Sequence, residues 1–278
     1  MPIKLLALDM DGTTLTSQVT LTAATRDAIA AAIARGITVV PTSGRCLHTL
    51  PKEVLAIPGI RYAITSGGAA VNDLHTRTTL GTIPLTAEEV ARTRALAGIF
   101  DVMIEAYIDG RIFLPKACLD NLAYYRILPR YHEFYRQNSV AIDEPEGFEE
   151  ILENSPVEKL NISFHQAEDR SLLAGLLREK TRLTIIPAAE NNLEINSGNA
   201  NKAEGLKQLA ACLGIDASDI MAIGDSGNDV AMLRWAGCGI AMANAADNVK
   251  AVADAITATN DADGVACAIR EHILRQAV

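Results

Sequence analysis

Residues 3–8 form a largely apolar run with no alternation, the pattern of a strand buried on both faces of a parallel sheet. Residues 22–35 follow at helical spacing. Ile29 and Ile33 stand four apart, Thr22 can cap the N-terminus, and Gly36 falls where a helix stops. A second apolar run at 37–40, a helix to about residue 55 and a third run at 62–65 complete a β-α-β-α-β rhythm. That rhythm predicts a parallel, right-handed, doubly wound sheet.

The pattern changes after Ser66-Gly67-Gly68. Short extended segments near 70–71 and 79–83 lead to Thr86-Ala87-Glu88-Glu89, a capping box that opens a helix to about residue 97. Residues 102–108 and 111–114 read as a hairpin around Asp109-Gly110, a pair that tolerates positive φ. The aromatic- and arginine-rich stretch 124–136 fits an amphipathic helix with its aromatic rings inward, or a surface turned to a substrate. A strand (157–164), a helix (168–180) and a strand (182–186) follow. From Asn201 the alternation returns. A helix to 212, strands at 220–223 and 238–241, and helices at 228–235, 247–254 and from 264 to the C-terminus are predicted. The predicted fold class is therefore α/β. Residues 1–83 and 190–278 make a doubly wound, Rossmann-like parallel-sheet core, and residues 84–189 make an inserted α+β domain.

Composition narrows the function more than the fold. A formal charge of −9 over 278 residues argues against a nucleic-acid or anionic-membrane surface, while an anionic small substrate needs only local positive charge. The start lacks a signal peptide, and no stretch approaches the ~18 apolar residues of a membrane span. The five cysteines are scattered without a C-x-x-C, so reduced thiols and a cytoplasmic location are expected. Asn161-Ile162-Ser163 fits a glycosylation sequon, but on a strand of such a protein it reads as chance.

The chemistry concentrates where core strands end. Asp9 and Asp11 follow the first strand, and ligands of such sheets bind beyond the carboxyl ends of the strands. Two acids this close need a shared proton or a cation, and Mg²⁺ suits carboxylate oxygens. A solvated Asp-x-Asp-Gly turn fits the same residues. Ser43 and Gly44 follow the second strand, Lys202 opens the helix after the insertion, and Gly224-Asp225-Ser226-Gly227-Asn228-Asp229 follows a later strand. Acids to hold a metal, together with an ammonium, a hydroxyl and backbone N–H groups for phosphate oxygens, make an inventory for phosphoryl transfer.

These residues resemble the four motifs of the haloacid dehalogenase superfamily: Asp9-Met10-Asp11-Gly12-Thr13, Ser43, Lys202 and Gly224-Asp225-x-x-Asn228-Asp229. The resemblance spans nearly the whole chain. With an insertion between the second and third motifs, it is similar to the Cof-type sugar-phosphatase-like hydrolases with a C2 cap. Ile64-Thr65-Ser66-Gly67-Gly68-Ala69, Leu193-Glu194-Ile195 and Asn260-Asp261-Ala262-Asp263-Gly264-Val265 resemble that family's secondary motifs. Ser43 stands where Thr is frequent, and Gly67 where Asn is usual.

The resemblance implies a Mg²⁺-dependent phosphatase of small phosphorylated metabolites. Asp9 would be the nucleophile that forms an aspartyl-phosphate, and Asp11 the acid and then the base. Asp9, Asp225 and the Asp11 main-chain carbonyl would hold Mg²⁺. Ser43, Gly44 and Lys202 would hold phosphate, and Asn228 and Asp229 would orient Lys202 and the metal's water from behind. An acid at position 11 favours phosphate esters over carbon–halogen cleavage, because expelling halide needs no proton. Two alternatives stand beside this reading: a phosphomutase of the same fold, and a non-catalytic sensor of Mg²⁺ and phosphate. The substrate, the cap residues that select it and the oligomeric state are left open.

Overall fold

The computed structural model describes residues 2–275, which form two compact units. The first falls within Met1–Arg45, Leu50–Gly81 and Asn201–Val278. Its parallel sheet runs in the order Ala255–Ile256, Cys238–Ala241, Ile220–Gly224, Leu5–Leu8, Thr38–Pro41. Every residue of Leu5–Leu8 is buried, which explains why that strand carries no polar position. On one face Leu5, Ala7, Ile220 and Ala222 pack with Leu206, Leu209 and Ala210 of the helix Lys202–Leu213 and with Met232 and Leu233. The helix Ala23–Ala34 is capped by Thr22, whose side chain accepts from the Thr25 N–H, and it buries Ala28, Ile29 and Ala32. Gly36 takes φ +83° just after it.

The predicted third strand, Tyr62–Thr65, forms beside Thr38–Pro41 in parallel orientation, bridged at Thr42–Ile64. Tyr62–Thr65 pairs antiparallel with Ala70–Asp73 in a three-stranded sheet that Thr78–Thr82 completes. The Ser43 N–H donates to Ile64 O at 2.9 Å, and the Ser66 and Gly67 N–H groups donate to Arg45 O at 2.8 Å and Ser43 O at 3.0 Å. Positive φ at Ser66, Gly67 and Gly68 reverses the chain at once, so its next partner, Ala70–Asp73, pairs antiparallel. Other predicted helices shorten. Residues 47–49 and 52–55 form two short helical turns around Pro51 rather than one helix. Asp247–Lys250 ends early, before the strand Ala255–Ile256. The last helix is Gly264–Ile269, continued by a wider turn to Leu274; the expectation for residues 276–278 lies outside the described residues. Among the described residues, no helix is long and apolar enough to cross a membrane.

The second unit falls within Cys46–Thr49 and Thr82–Ala200. Its sheet runs Thr184–Ala189, Asn192–Asn196, Val157–Phe164, Val102–Ile108, Arg111–Pro115, Ser139–Ile142, antiparallel except for the last pair. The Asp109-Gly110 turn has positive φ at both residues, as the hairpin requires. Leu160, Ile162, Phe164, Leu193 and Ile195 line one face with Val90, Phe148, Leu152, Leu173 and Leu177 from three helices. The strand Asn192–Asn196 pairs with Val157–Phe164, so the boundary expected at residue 189 moves to 200. In 124–136 only Pro129 onward is helical, because Arg126 at φ +58° breaks the chain. Phe134 and Tyr135 pack inward, while Tyr124 and Tyr131 are exposed. The strand Ser139–Ile142 and the helix Pro145–Asn154 were not anticipated.

The opposite face of this sheet is polar yet buried. Register places Glu105 beside Asn161 and Tyr107 beside Lys159. Glu105, 1% exposed, accepts from Tyr135 Oη at 2.9 Å and Asn161 Nδ2 at 3.0 Å. Lys159 pairs with Glu194 at 3.0 Å and lies over the Tyr107 ring. Burial pushes the Glu105 carboxyl up to about 7, against the pull of the Tyr135 and Asn161 hydrogen bonds.

Two stability predictions follow from these contacts. Thr86→Ala removes the side-chain half of an intact capping box and should cost about 1 kcal/mol in urea unfolding. A carboxyl that titrates near 4.5 unfolded and about 7 folded holds its proton more tightly when folded. Its contribution is therefore complete below pH 4.5 and lost as pH rises through 7. Glu105→Gln keeps an acceptor for both donors, so wild type should lose roughly 3 kcal/mol relative to the variant between pH 4.5 and 8. A pH-independent difference would rule out a buried titrating carboxyl there.

Candidate active site

Register sets the site. Leu8 lies opposite Ile223 on one side and Pro41 on the other, so three chains leave the sheet at one edge. The Asp9 N–H donates to Ile223 O at 3.0 Å, and the Thr42 N–H donates to Leu8 O at 2.7 Å. Asp9 is 5% exposed. Beyond it the loop turns on Gly12 at φ +83°, where a Cβ would stand 2.5 Å from Asp225 Oδ2. Glycine is thus needed for both conformation and room. Thr14 Oγ1 donates to Asp9 O at 2.6 Å, and Thr13 Oγ1 donates to Asp225 Oδ1 at 2.9 Å.

Lys202 stands at the first turn of Lys202–Leu213, after Asn201, whose side chain accepts from the Ala203 and Glu204 N–H groups. The chain at Gly68 passes so close that a Cβ there would meet Asn201 O at 2.0 Å. Lys202 is 1% exposed, and Nζ lies 2.6 Å from Asp9 Oδ1 and 2.7 Å from Asp229 Oδ1. Asp229 Oδ2 accepts from the Asp225 and Ser226 N–H groups at 3.1 and 3.0 Å, which fixes the turn carrying Asp225. Ser226 Oγ donates to Asn228 Oδ1 at 2.7 Å.

Oxygens of Asp9, Asp225 and Asp229 all lie within 4.8 Å of one another. Burial raises the Asp9 carboxyl well above its usual range; Lys202 opposes this, while Asp229 and Asp225 reinforce it. Asp225 is raised too, by burial first, against the Thr13 hydrogen bond. Burial lowers Lys202, but Asp229 and Asp9 outweigh it, and the net shift is upward. Lys202 is shared, so it returns to Asp9 less than burial takes away. One ammonium cannot neutralise three carboxylates, and the hard oxygen donors fit a divalent cation such as Mg²⁺.

The other expected site residues fall around this centre. The Asp11 side chain, 50% exposed, stands outside the acid cluster, gripped by Arg45 through Nε–Oδ2 at 2.7 Å and Nη2–Oδ1 at 2.6 Å. Ser43 is buried, and its Oγ accepts from the Arg45 N–H at 3.2 Å; Gly44 lies between the two. Asn228 is tied to Ser226, whereas Asp229 touches Lys202 directly. Sequence reasoning assigned no task to the Thr13 and Thr14 hydroxyls. Thr13 and Thr14 stood beside the acidic pair, a position that gave a usable signal. The Arg45–Asp11 pair spans 34 residues and gave none.

Residues 6–269 match the family of haloacid dehalogenase-like hydrolases. Phosphatase YwpJ of Bacillus subtilis is 31% identical, over 98% of this chain and 100% of its own. The 5-amino-6-(5-phospho-D-ribitylamino)uracil phosphatase YcsE of Bacillus subtilis is 30% identical over 98% of this chain and 96% of its own. The solved structure of a haloacid dehalogenase-like hydrolase from B. subtilis superposes with TM-score 0.80 at 28% identity, over 96% of this chain and 99% of that one. With the fold, the acid–lysine centre and these similarities in place, the chain belongs to the haloacid dehalogenase-like hydrolases.

Proposed function

We propose that this hydrolase is a Mg²⁺-dependent phosphatase of small phosphorylated metabolites that works through an aspartyl-phosphate at Asp9. The observation that carries the reading is the buried Lys202 ammonium, shared by Asp9 and Asp229 with Asp225 alongside. Burying two acids and a base beside a half-buried third acid is poor structural economy, since apolar packing would stabilise the fold at least as well. A phosphoryl-transfer site uses each of them. The names of the relatives support the class, and one is a phosphatase of a ribityl phosphate.

In this reading Asp9 Oδ attacks phosphorus, the ester P–O bond breaks, and Asp11 gives its proton to the leaving oxygen. Asp11 then takes a proton from water, which attacks phosphorus and releases inorganic phosphate and free Asp9. Arg45 occupies both Asp11 oxygens, so proton transfer requires that pair to open. Lys202, the Ser43 hydroxyl and the Gly44 N–H offset charge on the phosphoryl oxygens, with Asp229 orienting Lys202 and Asn228 supporting the turn. Asp9, Asp225 and the Asp11 carbonyl would hold Mg²⁺, whose charge would offset the repulsion between carboxylate and phosphate.

Phosphate release from 4-nitrophenyl phosphate tests the reading. Activity should vanish with excess chelator and return with Mg²⁺, and Asp9→Asn should fall to background. Asp11→Asn should lose ~10²–10⁴-fold on alkyl phosphates, the usual contribution of general acid–base catalysis. Full activity in chelator, or in Asp9→Asn, would contradict the proposal. Isomerised sugar phosphate in place of released phosphate would instead identify a phosphomutase.

A further inference from the structure

The segment 260–263 resembles a family motif, yet the chemistry above gives it no task. It lies along the loop that follows Asp9. Asn260 Nδ2 donates to Leu15 O at 3.0 Å, Asp261 Oδ1 accepts from the Ser17 N–H at 2.8 Å, and Asp263 Oδ1 accepts from Thr22 Oγ1 at 2.5 Å. The Asn260 N–H donates to Asn244 Oδ1 at 3.0 Å, and Asn244 Nδ2 donates to Gly12 O at 2.8 Å. Asn244 therefore uses both ends of its amide, one on the strap and one on the loop.

That Gly12 carbonyl belongs to the peptide that continues into Thr13. The Thr13 N–H donates to Met10 O at 3.3 Å, and its buried hydroxyl donates to Asp225 Oδ1. The same peptide is pressed against Asp225, since a Cβ on Gly12 would meet Oδ2 at 2.5 Å. A tilt of the Gly12–Thr13 peptide therefore moves the donor that orients Asp225. We propose that Asn244 is a positioning residue for the Asp225 carboxylate, acting through the Gly12–Thr13 peptide and the Thr13 hydroxyl. The Thr13 bond holds Oδ1 and fixes the direction of Oδ2. The inference rests on the reading of Asp225 as a Mg²⁺ ligand.

A purely structural role for Asn244 would look different. The residue is exposed, so water can replace its amide at the Gly12 carbonyl at little cost in stability. Isothermal titration of the full chain with MgCl₂, without substrate, separates the two. Asn244→Ala should weaken Mg²⁺ binding about 10-fold, the low end of what removing a ligand's supporting partner costs. Thr13→Val should weaken it similarly, and the double variant should be no weaker than Thr13→Val alone, because both act on one path. Asp261→Asn holds Ser17 and not the Gly12–Thr13 peptide, so it should bind as wild type does. Asn244→Ser, which is too short to reach Gly12 O, serves as a second variant should the alanine protein not fold. Unchanged affinity in folded Asn244 variants, additive losses in the double variant, or an equal loss in Asp261→Asn would overturn the inference while leaving the metal assignment intact. Absence of Mg²⁺ binding by wild type would remove both.

Discussion

A buried ammonium has to be paired, and the pairing of Lys202 with Asp9 and Asp229 is the constraint on which the rest of the first unit depends. The three residues come from distant parts of the chain, 193 and 27 positions apart from Lys202. They meet because Leu5–Leu8 and Ile220–Gly224 are register-matched neighbours, and because the helix carrying Lys202 seats closely on Gly68. Removing Lys202 would leave acids buried without their ammonium, so such a variant should damage folding as well as chemistry. The same excess of negative charge is what invites a divalent cation.

Around that centre, short polar contacts do the fine positioning. Thr14 holds the Asp9 main chain, Thr13 holds Asp225, and Asp229 collects two backbone N–H groups besides Lys202. Asp9 Oδ1, Asp225 Oδ1 and both Asp229 oxygens are thereby committed to a direction before any ligand arrives, and preorganisation of this kind is what electrostatic catalysis needs. Asp11 is the exception. It is half-exposed and held by Arg45, which would suit the proposed proton transfer, in which it gives up one partner.

Much of this was legible in the sequence because it rests on local signals. The apolar run before Asp9, the Thr22 and Thr86 caps and the Asp109-Gly110 hairpin all formed as their residues suggested. The errors came where long-range pairing overrules local pattern. Tyr62–Thr65 reads as another parallel strand and lies parallel to Thr38–Pro41, but the three positive-φ residues after it also pair it antiparallel with Ala70–Asp73. The strand Asn192–Asn196 reads equally well with either unit until its pairing with Val157–Phe164 is known. Asp9, Asp225 and Lys202 were legible as residue types at strand ends and a helix start. The Arg45 grip on Asp11 and the Asn244 contact with Gly12 were not, since no spacing rule joins residues 34 or 232 positions apart.

In the proposed reaction Asp9 is the nucleophile that accepts the phosphoryl group, forming a covalent phosphoenzyme. The direct measurement mixes the Asp11→Asn variant with 4-nitrophenyl phosphate and Mg²⁺, quenches in acid within seconds and weighs the intact chain. A nitrophenolate leaving group scarcely needs an acid, but the acyl phosphate still needs a base to be hydrolysed. The account predicts one added phosphoryl group, mapping to the peptide that contains Asp9 and lost when Asp9→Asn is combined with it. An unlabelled chain that still releases nitrophenolate, or a label on another residue, would contradict it.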